Sequence, residues 1–525
     1  MEPVCVRHTE LPHSSKLFTD FLYHFHRVAP FYGSSPSQPA SYQKVATQIH
    51  FPEKRRAALV SALRAVNGEH PLLETLARPD TFVVATGQQV GLFSGPCYTI
   101  YKALTAIKLA RTLSSHGLHA VPVFWMATED HDFAEVSRCW TFDASQKPSL
   151  LQVETDGPAN LTVGAVRLEN PPLNELRTSL SELPFGDEFA AVAELSYAPG
   201  RTLGEAFLDL MRRILPEDLL YLDPLHPGIR ALASPLLREA LLNADDLHAH
   251  LTGRAKELEA AGYHAQVRFD AGSSLFFSLH GGRRFPLRRR QQRYVAQDRS
   301  YSAEELAGEA GMLSPTALLR PVMQDYILPT VAYVGGPAEI AYLAQSQILH
   351  RLLLGRMPVT VPRAGFTVLD SRAGKLFRKY QLGLPDFLHG LEPLEQRIAA
   401  RLLPADLVES LVAASDSVAG HLDDLRSRLE SFDPTLAEAL DRSRARIMHQ
   451  LAKIERKAAR EALRRQDRAE SEAEYLFNLV YPRKHPQERL YTILPFLARH
   501  GLDFVSRLYE NIHLDCPDHI VIAVS

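Results

Sequence analysis

The chain has 525 residues, a formal net charge of −3, 46% hydrophobic residues and 23% charged residues. This length holds about three or four domain-sized pieces with ample core. The weak net charge argues against a general affinity for nucleic acid or an anionic membrane. No apolar run approaches the roughly 18 residues that a membrane span requires.

The N-terminus and the cysteines predict a cytoplasmic protein. The first residues lack the basic and apolar regions of a signal peptide. The four cysteines lack CxxC spacing, which favours reduced thiols over disulfides or a zinc site. They are Cys5, Cys97, Cys139 and Cys516.

The first 80 residues are predicted to be mostly helical, with a Ser/Pro-rich break at residues 33–41. His24 and His26 are two positions apart, so on a helix they point in different directions and form no metal site.

A βαβ unit follows at residues 81–132. Residues 81–85 form a short apolar run typical of a strand, and a glycine-marked loop follows it. Apolar residues recur at helical spacing from Tyr98 until Gly117 ends the pattern. Residues 121–127 then form a continuous apolar run, typical of a strand covered on both faces. Ligands bind at the carboxyl ends of such strands.

The middle of the chain is less regular. Residues 161–168 look strand-like, residues 203–214 helical, and residues 219–224 resemble a return to the core. Helices at 230–262 lead into a strand at 273–279 and an arginine-rich segment at 281–293. We interpret that last segment as a solvated hairpin and loop. A groove that binds an anionic substrate is the alternative.

A second βαβ unit spans residues 327–362. It comprises a strand at 327–334, a Gly335-Gly336-Pro337 turn, a helix at 338–354 and a strand at 358–362. We expect both units to belong to one doubly wound sheet interrupted by insertions. The alternative, two small separate α/β domains, is less favoured because each domain would have only two recognisable strands.

Residues 390–475 predict two antiparallel coiled-coil arms. The apolar residues that would form the coiled-coil seam of the first arm are spaced by seven, four, three, four and three positions. The second arm carries ten Lys/Arg between 442 and 468. Interspersed acids favour a solvated face over a nucleic-acid contact. The seam residues are Leu411, Val418, Leu422, Leu425, Leu429 and Phe432, then Ile447, Leu451, Ile454 and Ala458.

Polar residues follow the strand at 121–127. They are Glu129, Asp130, His131 and Asp132. A histidine among carboxylates can act as an oriented general base or contact substrate, which we favour over metal ligation. Helix capping by Asp130 or Asp132 is the structural alternative.

Other candidates lie on the loops after strands. Gln88 and Gln89 offer neutral donors and acceptors for a polar substrate, but the glycine spacing matches no nucleotide fingerprint. Cys97, near a helix start, is more plausibly a buried structural thiol than a nucleophile. Basic residues on the predicted loop after 358–362 could hold a phosphate or carboxylate. They are Arg363, Arg372 and Lys375.

Four segments together resemble the family of bacillithiol biosynthesis cysteine-adding enzymes. They are TGQQVGLFSGPCYTIYKA, PVFWMATEDHDFAEV, LLRPVMQDYILPTVAYVGGPAEIAYLAQ and YPRKHPQERLYTILPFLARHG. The resemblance covers essentially the whole chain. It implies an α/β Rossmann-like core of the nucleotidylyltransferase and class I aminoacyl-tRNA synthetase type, with insertions and a coiled coil that pairs subunits into a homodimer.

On this resemblance, the chain divides into seven segments. The core comprises 1–142, 216–235 and 319–385, the two connective-peptide insertions are 143–215 and 236–318, the arm is 386–475, and 476–525 packs on the core. The TGQQ residues and residues 129–132 would line the active site, with three further residues close by. The TGQQ residues are Thr86, Gly87, Gln88 and Gln89, and the nearby residues are Tyr98, Gly335 and Gly336.

The implied reaction joins the carboxyl group of L-cysteine to the amine of glucosaminyl-malate. Forming an amide in water requires an activated carboxyl group, which argues for ATP although no strong nucleotide motif is present. We expect His131 with Asp132 to position or deprotonate the amine, Glu129 to take part in catalysis, and Gln88 and Gln89 to hold polar groups. The alternatives are another carboxylate-activating or nucleotidyl-transferring enzyme of this fold, and an inactive coiled-coil scaffold.

Overall fold

A computed structural model describes residues 2–12, 14–155, 157–270, 272–290, 293–466 and 468–524. Its central sheet has five parallel strands in the spatial order β3-β2-β1-β4-β5, which is a Rossmann order. The prediction of one sheet split by insertions is therefore confirmed. The strands are β1 (Phe82–Gln88), β2 (Ala120–Met126), β3 (Leu220–Leu222), β4 (Thr330–Gly335) and β5 (Val359–Pro362).

Strand β2 is covered on both faces, as its continuous apolar run predicts. All seven of its residues are buried. Because side chains alternate along a strand, Phe124 and Met126 join one hydrophobic core while Val121, Val123 and Trp125 join another. The sheet thus separates two cores and holds its carboxyl edge rigidly between them.

Two long helices make the predicted crossovers. Helix α1 (Tyr98–Ser115) connects β1 to β2, and helix α2 (Pro337–Leu354) connects β4 to β5. Two predicted boundaries were wrong. Strand β1 continues through Gln88, so most of the predicted TGQQ loop is strand, and β4 starts only at Thr330 because a helix occupies Arg320–Ile327.

The remaining strands form smaller sheets. One three-stranded sheet contains strands from both ends of the chain: Val4–Val6, His519–Ala523 and Gly365–Leu369. A second has Phe276–His280 at its centre, between Arg283–Pro286 and Leu313–Pro315. A third sheet consists of Arg288–Arg290, Arg293–Ala296 and Arg299–Tyr301. A two-stranded sheet pairs Arg138–Phe142 with Pro148–Gln152.

Three sequence predictions are corrected or refined by these sheets. Residues 161–168 are not a strand but contain a 3₁₀ turn at Val163–Ala165. The segment after β5 is not a loop, because it forms strand Gly365–Leu369 and a helix from Ser371. The arginine-rich segment does begin as a hairpin, but Arg284 within it is buried rather than solvated.

Helices cover both faces of the sheet and build the insertions. None of the described helices is long and apolar enough to cross a membrane. In the first half they are Lys16–Tyr23, Ala29–Tyr32, Pro39–Gln48, Glu53–Asn67, Pro71–Ala77, Phe133–Val136, Leu173–Leu180, Gly186–Ser196, Leu203–Ile214, Pro227–Leu242 and Ala244–Ala260. In the second half they are Ala303–Gly308, Ser371–Tyr380, Leu391–Arg401, Ala469–Val480, Gln487–Leu490, Leu494–His500 and Asp503–Glu510.

The predicted arms are two long helices, α3 (Ala405–Phe432) and α4 (Pro434–Arg464). They run antiparallel, and ion pairs such as Arg426–Asp441 at 3.0 Å link them. No residue of α3 is buried within the single chain. Seam residues Leu411, Val418, Leu422 and Leu429 are half-buried. The seam residues that stay exposed are Leu425, Phe432, Ile447 and Ile454.

The C-terminal tail packs on the core as predicted, since its final strand pairs with both Val4–Val6 and Gly365–Leu369. This pairing brings Cys5 and Cys516 together, with their sulfur atoms 3.8 Å apart. Both are free thiols, in agreement with the prediction of reduced cysteines.

Candidate functional site

A cleft of about 600 Å³ opens at the carboxyl ends of β1, β2 and β4. It lies at the point where the strand order reverses between β1 and β4, where ligands bind in open α/β sheets. Sequence-predicted residues from four separate segments meet there. Those that line the cleft are Gly87, Gln88, Gln89, Tyr98, Glu129, Asp130, His131, Asp132, Gly336 and Arg363.

The charged lining residues form two groups of opposite sign. We define the acidic group as four carboxylates with one arginine: Glu129, Asp130, Asp132, Glu135 and Arg284. We define the basic group as four cations with one carboxylate: Lys102, Arg320, Arg363, Arg489 and Glu339. The cleft is therefore electrically polarised by its own side chains.

Asp130 is the centre of the acidic group. Its carboxylate accepts hydrogen bonds from Arg284 at 3.0 Å, the His131 backbone at 2.7 Å and Gln89 at 2.8 Å. Burial alone raises the pKa of Asp130, but the hydrogen bonds from His131 and the charge of Arg284 outweigh it and lower that pKa. Asp130 is therefore held as a fixed anion.

His131 faces Asp130 rather than Asp132. Its Nδ1 lies 3.4 Å from the Asp130 carboxylate, and its ring packs beside Phe277. Asp132 instead caps the short helix Phe133–Val136 by accepting from the Glu135 backbone at 3.2 Å. Because capping directs the Asp132 side chain away, the carboxylate nearest His131 is that of Asp130 and not that of Asp132.

Glu129 lies deeper in the cleft and is 3% exposed. One carboxylate oxygen, Oε2, accepts from Ser314 at 2.8 Å and pairs with Arg230 at 3.3 Å. Burial lowers the pKa of Arg230, while the charge of Glu129 opposes that shift. This pair fixes the orientation of Glu129 from behind the cleft.

Lys102 anchors the basic group. It sits one turn into α1, is 1% exposed, and lies 2.6 Å from Glu339 of helix α2. It also donates to the Gly87 carbonyl and, at 3.1 Å, to the Gln88 side chain. Burial lowers the pKa of Lys102, and the charge of Glu339 opposes that shift. Lys102 thus connects the ends of β1 and α2 across the switch point.

Arg363 is held by a buried carboxylate from the C-terminal segment. The Glu488 carboxylate pairs with the Arg363 guanidinium at 2.5 Å, and this guanidinium also lies over the Tyr98 ring. Burial raises the pKa of Glu488, but the charge of Arg363 dominates and lowers it to about 2. Arg489 is exposed and has no side-chain partner in the described part of the chain. It is the lining cation most available to a ligand.

The two glutamines serve opposite groups. Gln88 accepts from Lys102, whereas Gln89 donates to Asp130 and, at 2.9 Å, to Glu135. Gly87, within β1 and opposite Trp125 of β2, has a steric role, because a Cβ there would lie 2.6 Å from the Trp125 carbonyl oxygen. The end of β1 therefore divides the cleft and supports both groups.

Several predicted site residues lie outside this cleft. Thr86 is buried and donates to the Val334 carbonyl, which ties β1 to β4. Gly335 lines a smaller neighbouring cavity. Arg372 and Lys375 are exposed on helix Ser371–Tyr380, and Arg372 packs over Tyr475.

Cys97 has no accessible thiol. It is fully buried at the start of α1, and burial raises its pKa above the ordinary range. The structural interpretation of Cys97 is confirmed, because a reactive cysteine needs an exposed thiolate.

Six charged lining residues were not among the predicted site residues. Lys102 had a usable signal, because it lies four residues after Tyr98 and so shares its helix face. Arg284 lies in the arginine-rich segment at 281–293, for which an anion-binding groove was the alternative interpretation, whereas no local pattern marks Arg320. The charged residues missed are Lys102, Glu135, Arg284, Arg320, Glu339 and Arg489.

Chemically, the cleft can hold two unlike groups side by side. An amine or ammonium suits the acidic group, and a carboxylate or phosphate suits the basic group. His131 lies between a fixed carboxylate and the open cleft, so it can exchange a proton with a bound amine.

Comparison with known proteins agrees with this architecture. Residues 4–364 match the family described as "Bacillithiol biosynthesis BshC, N-terminal Rossmann-like domain", and residues 366–524 match its "C-terminal coiled-coil domain". Proteins named "Putative cysteine ligase BshC" are similar over nearly their whole length. One from Solibacter usitatus is 51% identical, with 100% of each chain covered. One from Koribacter versatilis is 35% identical, again with 100% of each covered. One from Salinibacter ruber is 31% identical, with 97% of this chain and 96% of the relative covered. The chain therefore belongs to the bacillithiol biosynthesis BshC family of ligases.

Proposed function

We propose that this protein joins the carboxyl group of L-cysteine to the amine of glucosaminyl-malate, forming the amide of bacillithiol. The polarised cleft is the observation that carries the proposal. An amide ligase must bring an amine and an activated carboxyl group together, and the acidic and basic groups meet those two needs at one sheet edge. Membership of the family supports the choice of substrates.

His131 is proposed to accept the proton that the amine loses when it attacks. Its Nδ1 lies 3.4 Å from the Asp130 carboxylate and 3.4 Å from the Arg284 guanidinium, and Asp130 would orient the ring and stabilise the protonated imidazole. Gln89 and Arg284 hold Asp130 in place. On this proposal His131 and Asp130 act as one unit, with Asp132 only shaping the backbone.

ATP is proposed as the activating co-substrate. The lining cations fit its phosphates: Arg489 has no side-chain partner among the described residues, and Arg320 bonds to the hydroxyls of Tyr333 and Tyr342 rather than to a carboxylate. ATP would supply a phosphoanhydride whose cleavage makes amide formation favourable. The basic group would hold its phosphates and shield their charge from the incoming amine.

The test is a reconstituted ligation with purified protein, L-cysteine, glucosaminyl-malate and ATP, with the product thiol measured by mass spectrometry. We expect His131→Ala and Asp130→Asn each to lower kcat by about 100-fold or more. His513→Ala, an exposed histidine in the C-terminal segment, is the matched control and should leave kcat unchanged. Full ligation by His131→Ala would overturn the role of His131, and absence of product with the wild-type protein would overturn the reaction.

A homodimer formed through the arm is also proposed, in the cytoplasm. The exposed seam residues, such as Leu425 and Ile454, form an apolar stripe on helices whose polar faces are otherwise solvated. A second copy of the same arm would cover this stripe with matching residues.

A further inference from the structure

Three buried polar atoms on residues that line the cleft have no hydrogen-bond partner among the described residues. They are Trp125 Nε1, Glu129 Oε1 and Thr316 Oγ1. All three residues line the same cleft. Buried polar groups in native proteins are nearly always paired, so three orphans at one cleft require a physical reason.

The three residues reach the cleft from two distant segments. Trp125 is the penultimate residue of β2, and Glu129 follows it by four residues. Ser314 donates to the other oxygen of Glu129, and the same segment continues through Pro315 to Thr316. Arg230 and Ser314 therefore satisfy Oε2 of Glu129 while Oε1 is left free.

The donor and acceptor types of the three atoms define a ligand. An ionised carboxylate only accepts, an indole N–H only donates, and a hydroxyl does both. A small molecule with an ammonium group next to an acceptor oxygen satisfies all three. The ammonium donates to Glu129 and Thr316, and the oxygen accepts from Trp125.

We propose that Glu129, Thr316 and Trp125 form the subsite for a small L-α-amino acid and select it by its ammonium group. This inference rests on the proposed function and deepens it. The amino acid's ammonium lies against the acidic group, so its carboxyl group extends toward the basic group, where activation is proposed. Glu129, expected from the sequence to be catalytic, is instead a binding and specificity residue.

The charge around the subsite agrees with a cationic ligand group. Four carboxylates and one arginine line this side of the cleft. Asp130 is already paired with Arg284 and Gln89. Glu129 Oε1 is thus the buried carboxylate oxygen still open to a cation.

The test measures binding to the full chain by isothermal titration calorimetry under reducing conditions. The probes are L-cysteine, 3-mercaptopropionate, which lacks only the ammonium, and glucosaminyl-malate. Wild-type protein should bind L-cysteine at least about tenfold more tightly than 3-mercaptopropionate. Glu129→Gln should remove most of that preference and leave glucosaminyl-malate binding unchanged. Glu188→Gln, an exposed glutamate on helix Gly186–Ser196, is the matched control.

Two further variants keep the test decisive if Glu129→Gln does not fold. Thr316→Val and Trp125→Phe keep the Arg230–Glu129 pair and remove one orphan atom each. Each should weaken L-cysteine binding by several-fold in a protein that still unfolds cooperatively, although Trp125→Phe will lower the unfolding temperature through the cavity that it leaves. Wild-type affinity for L-cysteine in both folded variants, or a loss confined to glucosaminyl-malate, would overturn the subsite. Because binding needs no turnover, a wild-type protein that binds L-cysteine but forms no product would overturn the proposed function alone.

Discussion

Ion pairs at the cleft and on the arm use the same residue types in opposite surroundings. Arg363 and Glu488 at the cleft have side chains 6% and 8% exposed. Arg426 and Asp441 on the arm are 37% and 45% exposed. Exposed pairs contribute little, because water screens them and ordering two side chains costs entropy. A buried pair is costly to break, because the remaining charge has neither water nor a partner.

This comparison separates the part of the molecule that must keep its geometry from the part that can adapt. At the cleft, Lys102–Glu339, Arg230–Glu129 and Arg363–Glu488 each join elements far apart in sequence. On the arm, the exposed pairs link neighbouring turns, the two facing helices or, in Arg460–Glu392, the adjacent helix Leu391–Arg401. We therefore expect cleft substitutions to affect stability and ligation together, and arm substitutions to affect assembly.

The largest effect is expected from Lys102→Met. It leaves the partly buried Glu339, beside Tyr333, without its cation, which costs on the order of 3 kcal/mol. Urea denaturation should show this loss, and ligation should fall below detection. Lys375→Met, on an exposed helix face, is the matched control and should change neither. Equal unfolding midpoints for the two variants would contradict the expectation that a buried ion pair at the cleft contributes more to stability than an exposed charge.

The second effect is acid destabilisation through Glu488. The pKa of Glu488 in the folded protein, about 2, lies below the ordinary value of 4.5. Its contribution to the free energy of unfolding is therefore present above pH 4.5 and is lost as pH falls toward 2. The contribution is on the order of 3 kcal/mol. Denaturation midpoints measured from pH 6 to pH 3 should fall less steeply in Glu488→Gln than in the wild-type protein. Parallel curves would show that Glu488 does not provide this acid sensitivity.

A third, purely assembly-related effect is expected on the arm. Ile454→Asp places a charge in the exposed seam of α4 and should convert the proposed dimer to a monomer, as measured by light scattering. Thermal unfolding of the core and ligation per chain should stay unchanged, since no cleft residue lies on the arm. Leu195→Asp, an equally exposed apolar site on helix Gly186–Ser196, should leave the mass unchanged. An unchanged mass for Ile454→Asp would remove the arm from the interface.

The smallest effect is expected from Arg426→Ala. It removes the exposed pair with Asp441 and leaves no buried charge behind. The melting temperature should change by less than about 2 °C, as measured by circular dichroism. A larger shift would mean that the arm pairs are as constrained as those at the cleft.

Much of the fold was accessible from the sequence. The apolar run of β2 and the helical spacing of α1 predicted the first βαβ unit, and the Gly335-Gly336-Pro337 turn predicted the second. Their union in one sheet followed from the shortage of strands in either unit alone. The prediction of a strand at residues 161–168 was wrong, because a short β-branched stretch resembles a strand even where few partner strands are available to pair with it.

The candidate site was accessible only in part. The residues after β1 and β2 were found because strand ends of a parallel sheet meet at one edge. The sequence could not show which carboxylate lies beside His131, because Asp130 and Asp132 flank it equally until a helix cap engages Asp132. The proposed binding role of Glu129 likewise depends on contacts that the sequence does not show, because Ser314 and Arg230 occupy one of its oxygens.

By itself, the sequence determined the periods of the helices and strands, the order of the elements, the antiparallel arm and the family. These depend on local spacing and on segments recognisable along the chain. Only the tertiary structure decided which charges meet. Asp130 finds Arg284 across 154 positions, and Arg363 finds Glu488 across 125. No short-range pattern encodes such pairs, because they form only when the sheet and its insertions fold together and exclude water around them.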